Sequence, residues 1–358
     1  MTSVTKPITT DDVVFTKATP AQRELSWRIN GASWAKPLTI DAHVQREETL
    51  AASAQATSTE TGGRTYWVMH RKGDPLDIVS AVDSVGKAAL VVDGNGLRTG
   101  RAYGVGSVYT APQYRKQGMA GFMLQRLQEA MDADSEFSVL YSDIGTKFYG
   151  GFGWAAHPSL QVSVYLEGSG GAAPEKPEDV RFLSRGEMKE YCEKDVAELT
   201  ERMGELVPEE GRTHVAFLPT FEQLDWQFLR DELHVRAVKG RELENCGAAT
   251  ADGSAWVYWH HDLGKNMLMV HRVVARSPEA VRSLLWAAVA EAAAWGLERV
   301  VAWNPEGVVE DGARLLAEED GVRVRFEFRE DSRRPCLRLK GGADGDVVWE
   351  DNYFYAWC

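Results

Sequence analysis

Cysteine is scarce in this chain. There are four in 358 residues, Cys192, Cys246, Cys336 and Cys358, and their spacing matches no metal site. A chain this long with 44% hydrophobic residues builds its own core, so the four read as reduced thiols and not as a disulfide framework. Basic residues are also in deficit, 40 against 53 acidic ones, for a net charge of −13. That excludes a protein whose affinity rests on Lys and Arg contacts to nucleic-acid phosphates, and it suits a small cationic partner, although acidity also serves solubility. Long apolar runs are missing. The greasiest segment, Leu284 to Leu297, is 14 residues long and contains Glu291; it is too short to span a bilayer and predicts a buried helix. Met1 to Phe15 has no basic cluster followed by an apolar stretch, so no signal peptide is visible. No membrane association is expected, and the chain reads as a cytoplasmic enzyme without a metal.

What is abundant is aromatic: 12 Trp, 11 Tyr and 12 Phe, spread along the whole length, which excludes wholesale disorder. The length fits two domains. Ala21 to Trp34 and Ile40 to Ala56 read as helices, and no strand is expected before residue 60. Thr65–His70, Ile78–Val92 and Tyr103–Thr110 are β-branched and aromatic, as strands are. The last two are joined by Asp93-Gly94-Asn95-Gly96, a strong turn signal. A helix is predicted over Gln117–Met131, a strand over Ser138–Asp143, a helix onset, and a strand over Leu160–Leu166. Gly168 to Pro177 (GSGGAAPEKP) is the clearest linker. Beyond it, helices are predicted at Glu187–Met203, Phe221–Val235 and Pro278–Trp295. Strands are predicted at Trp256–His260, Met267–Ala275, Val300–Trp303, Val322–Phe328 and Leu337–Lys340. The reading is a first domain over 1–166, a linker over 167–179 and a second α/β domain over 180–358. VYTAP, a helix and VLYSD resemble VVARSP, a helix and VVAW, so the second domain reads as a possible degenerate repeat of the first.

The segment VGSVYTAPQYRKQGMA (Val105–Ala120) carries chemistry. A strand ends at Thr110, a proline turn follows, and Arg115-Lys116-Gln117-Gly118-Met119-Ala120 opens a helix. Such a start leaves backbone N–H groups without partners, and its dipole favours an anion. Gly118 and Ala120 keep large side chains away from those groups, while Arg115 and Lys116 add positive charge. The pattern is a diphosphate cradle, or an ordinary strand-to-helix turn with a packing glycine.

About thirty residues on, Leu140-Tyr141-Ser142-Asp143-Ile144-Gly145 ends a strand and Phe148-Tyr149-Gly150-Gly151-Phe152-Gly153-Trp154 follows. With both elements present, Val13–Leu166 resembles the GNAT superfamily of acetyl-CoA-dependent N-acetyltransferases. Arg115-x-x-Gly118-x-Ala120 matches the superfamily's pyrophosphate motif with alanine in the last slot. Tyr149 and Gly153-Trp154 match its second element. SVYTAPQYRKQGMA, LYSDIGTKFYGGFGW and a long second domain ending in an aromatic, Cys-ended tail are together similar to the fungal lysine N6-acetyltransferase-like family. The resemblance implies a mixed α/β (α+β) fold, a sheet flanked by helices, with acetyl-CoA as cosubstrate.

It also implies roles. Val108, Tyr109 and Thr110 would present backbone groups to the pantetheine arm, and Arg115 to Ala120 would take the pyrophosphate. Tyr149 would protonate the departing thiolate, or else plug the core beside Phe148. A lysine-like ammonium has a pKa of about 10.4 and must lose a proton before it attacks. Asp143, Ser142 and Asp83 are candidates at the acceptor, each equally readable as a turn or surface residue. Trp226 and Trp303 could wall the acceptor's aliphatic stem, or be core. The tail Asn352 to Cys358 has four aromatics in its last six residues. In two-domain enzymes of the bacterial enhanced-intracellular-survival type a C-terminal carboxylate serves as base, which nominates Cys358; alternatively the tail only closes the second domain's sheet. The second domain's equivalent turn, Arg276 to Arg282, has no glycine, so a second acetyl-CoA site is not expected. The implied activity is acetyl transfer to a small primary amine such as the side chain of free lysine. Another amino acid, a polyamine, an aminoglycoside-like compound, a protein lysine, or a silent acyl-CoA-binding module stays open.

Overall fold

The computed structural model describes residues 7–167, 174–209, 211–330, 332–342 and 346–357. Most of the Gly168–Pro177 linker and all of Cys358 lie outside the described residues. The chain begins with β1 (Val13–Lys17) and α1 (Pro20–Trp34), whose start is fixed by Thr19 accepting from the Gln22 N–H and by Pro20 in the first turn. α2 (Ile40–Ala51) and the single turn α3 (Ala54–Thr57) follow. A meander of β2 (Arg64–Arg71), β3 (Asp74–Asp93) and β4 (Gly96–Thr110) leads into α4 (Met119–Met131). β5 (Phe137–Ser142), α5 (Lys147–Gly150), β6 (Ala155–Ala156) and β7 (Leu160–Leu166) end the first half.

The second half runs β8 (Val180–Leu183), α6 (Met188–Gly204), β9 (Thr213–Phe217) and α7 (Phe221–Lys239), then β10 (Gly247–Thr250), β11 (Trp256–Asp262) and β12 (Met267–Val274). α8 (Pro278–Ala294), β13 (Arg299–Trp303), α9 (Val308–Leu316), β14 (Val322–Phe328), β15 (Arg334–Leu339) and β16 (Val347–Trp349) complete it. α8 is apolar on most sides because it is buried in the core, as its alanine-rich sequence requires. Among the described residues no helix is long and apolar enough to cross a membrane.

Two mixed sheets flanked by helices result. The first has the order β1-β2-β3-β4-β5-β15-β6, with β9 on β3 and β16 on β9. The second has the order β14-β7-β13-β12-β11-β10-β8. Each contains one parallel pair made by a helical crossover: β4 with β5 across α4, and β12 with β13 across α8. The weak sequence repeat thus corresponds to two units of the same topology.

The sheets do not divide at the linker. β7, from the first half, lies between β13 and β14 of the second sheet. β15, from the second half, lies between β5 and β6 of the first. β3 is long enough, at 20 residues, to pair with β2 along its first part and with β9 along its last. The boundary read from composition near residue 166 is a boundary in sequence, and reciprocal strand exchange overrides it in space. One apolar core spans the two sheets, with Phe137, Phe217, Trp256, Tyr258, Leu337 and Tyr355 in it.

Sequence periodicity missed several elements. β1 falls in a region whose pattern predicts helix, and the patterns do not show β8, β9, β10, β16 and α9. The strands are short, and the first part of β4 (Gly96–Arg101) is too polar to show a strand pattern. α4 begins at Met119 and not at Gln117, because Lys116 and Gly118 take positive φ values of 60° and 80°.

Candidate active site

β4 and β5 pair only from Ala102↔Phe137 to Val105↔Leu140. Beyond Val105 they diverge for a local reason. Ser107 has φ 55°, and the β3–β4 register shifts there, Asp83 facing Gly106 and Ala81 facing Tyr109. This bulge bends β4 away while keeping it on β3; Ala111 N–H still donates to the Val79 carbonyl (3.0 Å). Among the described residues, no strand lies on the β5-facing edge of β4 past Val105. A cleft of ≈ 630 Å³ opens there, lined by Ser107, Val108, Leu140, Tyr141, Asp143 and Tyr149 from the first half. α1 and α2 supply Trp34, Arg46 and Glu47; the second half supplies Trp226, Arg230, Asp262, Lys265, Arg333 and Trp357.

The cradle at the start of α4 has the right form for a diphosphate. Phe122 N–H is the first to bond back, to the Gly118 carbonyl (3.1 Å). The N–H groups of Met119, Ala120 and Gly121 have no backbone acceptor among the described residues. Gly118 caps the helix with φ 80°, and a Cβ there would meet nothing within 4 Å. The glycine is therefore demanded by its backbone angle and leaves open space before the helix start. Arg115 and Lys116 are exposed beside it. Arg115 Nε donates to the Thr110 carbonyl (2.9 Å), and its guanidinium lies over Tyr109 at 5.4 Å. Gln117 is occupied otherwise: its Oε1 accepts from Ile8 N–H (2.8 Å) and its Nε2 donates to the Gln113 carbonyl (3.0 Å). Met119 points its side chain into the core. Thr110 shares a hydrogen bond with Ser80 (3.0 Å).

Tyr149 is brought to the cleft by the one-turn helix α5. Phe148 packs on it edge-on at 5.1 Å, and Phe152 packs on Phe148 at 5.4 Å. A Cβ on Gly121 would sit 2.8 Å from the Phe152 ring, so α4 and this element can close up only through that glycine. Trp154 is fully buried and donates Nε1–H to Ser138 Oγ (3.1 Å). Burial pushes the Tyr149 phenol up to about 12, with Cys336 and Asp143 adding to the effect.

The acceptor candidates separate. Asp143 lines the cleft, exposed, and its Oδ1 accepts the Arg333 backbone N–H (2.9 Å). Ser142 is a turn residue: its hydroxyl donates to the Gly145 carbonyl (2.6 Å) and accepts from Ile144 N–H (3.2 Å). Asp83 is buried and ion-paired with Arg64 at 2.6 Å. Burial raises its pKa against the opposing pull of Arg64 and the Ser107 hydroxyl, and it is committed to supporting the bulge. Trp226 does line the cleft, with the Arg64 guanidinium over its ring at 5.3 Å. Trp303 does not; it packs between Tyr141, Phe354 and the Arg329 guanidinium in the core. A β-strand interior facing the other sheet leaves it no route to an acceptor.

The tail is buried as its aromatics imply. Phe354 and Tyr355 are fully buried, and Trp357 lines the cleft. Cys358 lies outside the described residues. Lys87 Nζ donates to the Ala356 and Trp357 carbonyls (2.7 and 3.2 Å), and Gln223 and Gln227 hold the Tyr355 and Trp357 carbonyls.

Sequence patterns do not reveal the charges that line the cleft. Lys36, Arg46, Arg64, Arg230, Lys265 and Arg333 line it against Glu47, Asp143 and Asp262. Net acidity of the chain gave the opposite impression. These residues come from seven separate segments, and no spacing links them. Among the described residues no group of three or more His, Cys, Asp or Glu is placed to hold a metal. Cys192, Cys246 and Cys336 are buried and unpaired as disulfides.

Two family models match. That for the LYC1 GNAT-like C-terminal domain covers residues 168–358, and that for the acetyltransferase (GNAT) domain covers residues 44–156. No curated protein matches. Among solved structures, a GCN5-related N-acetyltransferase from Kribbella flavida is similar at 19% identity and TM-score 0.55, over 92% of this chain and 72% of its own. A putative acetyltransferase from Pyrococcus horikoshii is similar at 13% identity and TM-score 0.53, over 99% and 98%. A tandem GNAT protein from the clavulanic acid biosynthesis pathway aligns at 14% identity and TM-score 0.50, over 93% and 100%. At these identities the likeness is one of fold.

Proposed function

The chain belongs to the LYC1 GNAT-like acetyltransferases, and from that premise we propose that it moves the acetyl group of acetyl-CoA directly to a small primary amine, the side-chain amine of free L-lysine. One observation carries the reading: β4 leaves β5 after Val105 and runs on into the Arg115–Ala120 cradle, while the phenol of Tyr149 lines the cleft that this divergence opens. Acetyl-CoA would supply the activated thioester. The unpartnered N–H groups of Met119, Ala120 and Gly121, with Arg115 and Lys116, are suited to its diphosphate. The free edge of β4 around Val108 offers backbone groups to an extended amide-containing arm.

The chain's own residues then supply proton handling. Tyr149 stays protonated throughout the neutral range, because burial has pushed its pKa to about 12. It can therefore donate to a departing sulfur. Asp143, exposed at the cleft wall, would take the proton of the incoming ammonium, directly or through water. Walls from both halves would orient the two reactants and so lower the barrier to a direct transfer. The test is thiol release from acetyl-CoA on adding L-lysine, compared with the Tyr149→Phe chain. Stabilisation by acetyl-CoA with no release across a panel of amines would instead indicate a silent acyl-CoA-binding module.

A further inference from the structure

The charges that line the cleft do not cancel. Arg46 holds Glu47 at 2.7 Å, and Arg333 holds Asp262 at 3.1 Å. Arg230, on α7, has no carboxylate within ion-pair distance among the described residues; its guanidinium lies over the Trp357 ring at 5.2 Å. Burial, with Arg46 close by, lowers its pKa to about 10, so it remains charged at neutral pH in surroundings that disfavour charge. Nη1 of Arg333 is likewise buried without a hydrogen-bond partner. Arg230 is half-buried and lacks an ionic partner among the described residues, and Arg333 keeps one donor free beside its pair with Asp262, so together they can accept an anion.

That anion is not the diphosphate of acetyl-CoA, whose cradle at Arg115–Ala120 contributes no residue to this cleft. The cluster does connect to the reacting end. Arg333 gives its backbone N–H to Asp143 and its guanidinium to Asp262, so one residue spans from the carboxylate beside Tyr149 to the neighbourhood of Arg230. A ligand reaching from Tyr149 to Arg230 would have an amine at one end and a negative group at the other.

We propose that Arg230, with Arg333 beside it, holds a carboxylate of the acceptor and so makes the enzyme select amino acids over polyamines and other amines that lack an acid group. The assignment rests on the acetyl-transfer reading above. A guanidinium offers paired donors to a carboxylate, and the flanking Glu47 and Asp262 can receive the acceptor's α-ammonium.

The experiment compares L-lysine with cadaverine, which is lysine without its carboxylate, in the unaltered chain and in Arg230→Gln. The unaltered chain prefers lysine. Arg230→Gln lowers kcat/KM for lysine by roughly 30-fold or more, through KM, leaves cadaverine within about twofold, and so removes most of the preference. Arg230→Lys, which keeps the charge, restores part of it. Acetyl-CoA affinity, measured by calorimetry, serves as the control for folding. A lysine-to-cadaverine ratio unchanged by Arg230→Gln in a chain that still binds acetyl-CoA overturns the subsite and leaves acetyl transfer standing. Calorimetric binding of aminocaproate separates the other case. If the chain transfers acetyl to neither amine yet binds aminocaproate, and Arg230→Gln abolishes that binding, the transfer reading fails and the carboxylate subsite stands.

Discussion

Lys87, in the longest strand of the first sheet, donates its ammonium to the main-chain carbonyl of Ala356, 2.7 Å away and 269 positions later. The lysine is buried, and its charge also lies over the Phe217 ring at 5.2 Å. A buried hydrogen bond from a charged donor contributes about 2 kcal/mol, and its loss leaves a carbonyl unsatisfied. Lys87→Met therefore lowers stability by about that amount and frees the tail. The check is a thermal melt together with limited proteolysis, which should clip the variant near Tyr353–Trp357 before the unaltered chain.

Strand exchange makes the two halves interdependent. A chain cut at the linker gives residues 1–167 a first sheet without β15, between β5 and β6, and without β9 on β3. The other fragment lacks β7 between β13 and β14. Each would expose unpaired strand edges in a sheet interior. Expressed separately, neither half gives a cooperative melt; mixed or co-expressed, the two recover it. An independently folding first half would contradict the topology.

Gly118→Ala tests the cradle. A residue other than glycine at φ 80° costs roughly 1 kcal/mol, and no protein atom lies within 4 Å of the added methyl. Stability should fall only slightly, while affinity for acetyl-CoA falls tenfold or more, as calorimetry can measure. Equal affinity in the variant would place the diphosphate elsewhere.

Buried histidines set the pH range. His260 and His271 share a hydrogen bond of 2.8 Å. Burial holds His271 down to about 3 and, with His271 and Arg230 adding to it, holds His260 well below its usual value. Both stay neutral in the fold, whereas in the unfolded chain they take up protons below about pH 6.5. Their contribution to stability is present above that pH and is lost as pH falls towards 3. His261 runs the other way. Although burial opposes its charge, Asp231 and Glu291 raise it to about 9. Its contribution is full below about pH 6.5 and is lost as pH rises through 9. Melting temperature measured from pH 5 to 9 should therefore peak near neutrality, and His261→Gln should flatten the alkaline side.

Sequence was informative where function depends on local backbone. Arg115–Ala120 and Tyr149–Trp154 were legible because a helix start and a one-turn element are specified by neighbouring residues. The hairpin of β3 and β4 was legible because Asp93–Gly96 fixes its turn. Arg230, Arg333 and Glu47 were not, since they meet only when α2, α7 and the strand after residue 333 pack together. Sequence left Trp303 open between cleft wall and core for the same reason, and the structure puts it in the core. A tryptophan in a strand can face a cleft or a core, and the packing of Phe354 against it decides which. β7 and β15 have clear strand patterns, but period-two alternation says nothing about which sheet a strand enters.

The central claim is that the chain transfers acetyl from acetyl-CoA to an amine with Tyr149 assisting departure of the thiol. The most direct measurement is stoichiometric: free thiol released and acetylated lysine formed, for the unaltered chain and for Tyr149→Phe, with acetyl-CoA binding measured in both. The account predicts one thiol per acetyl-lysine, and a rate roughly 10²-fold lower in Tyr149→Phe at unchanged acetyl-CoA affinity. A chain that binds acetyl-CoA but releases no thiol with any amine, or a Tyr149→Phe chain as fast as the unaltered one, would contradict it.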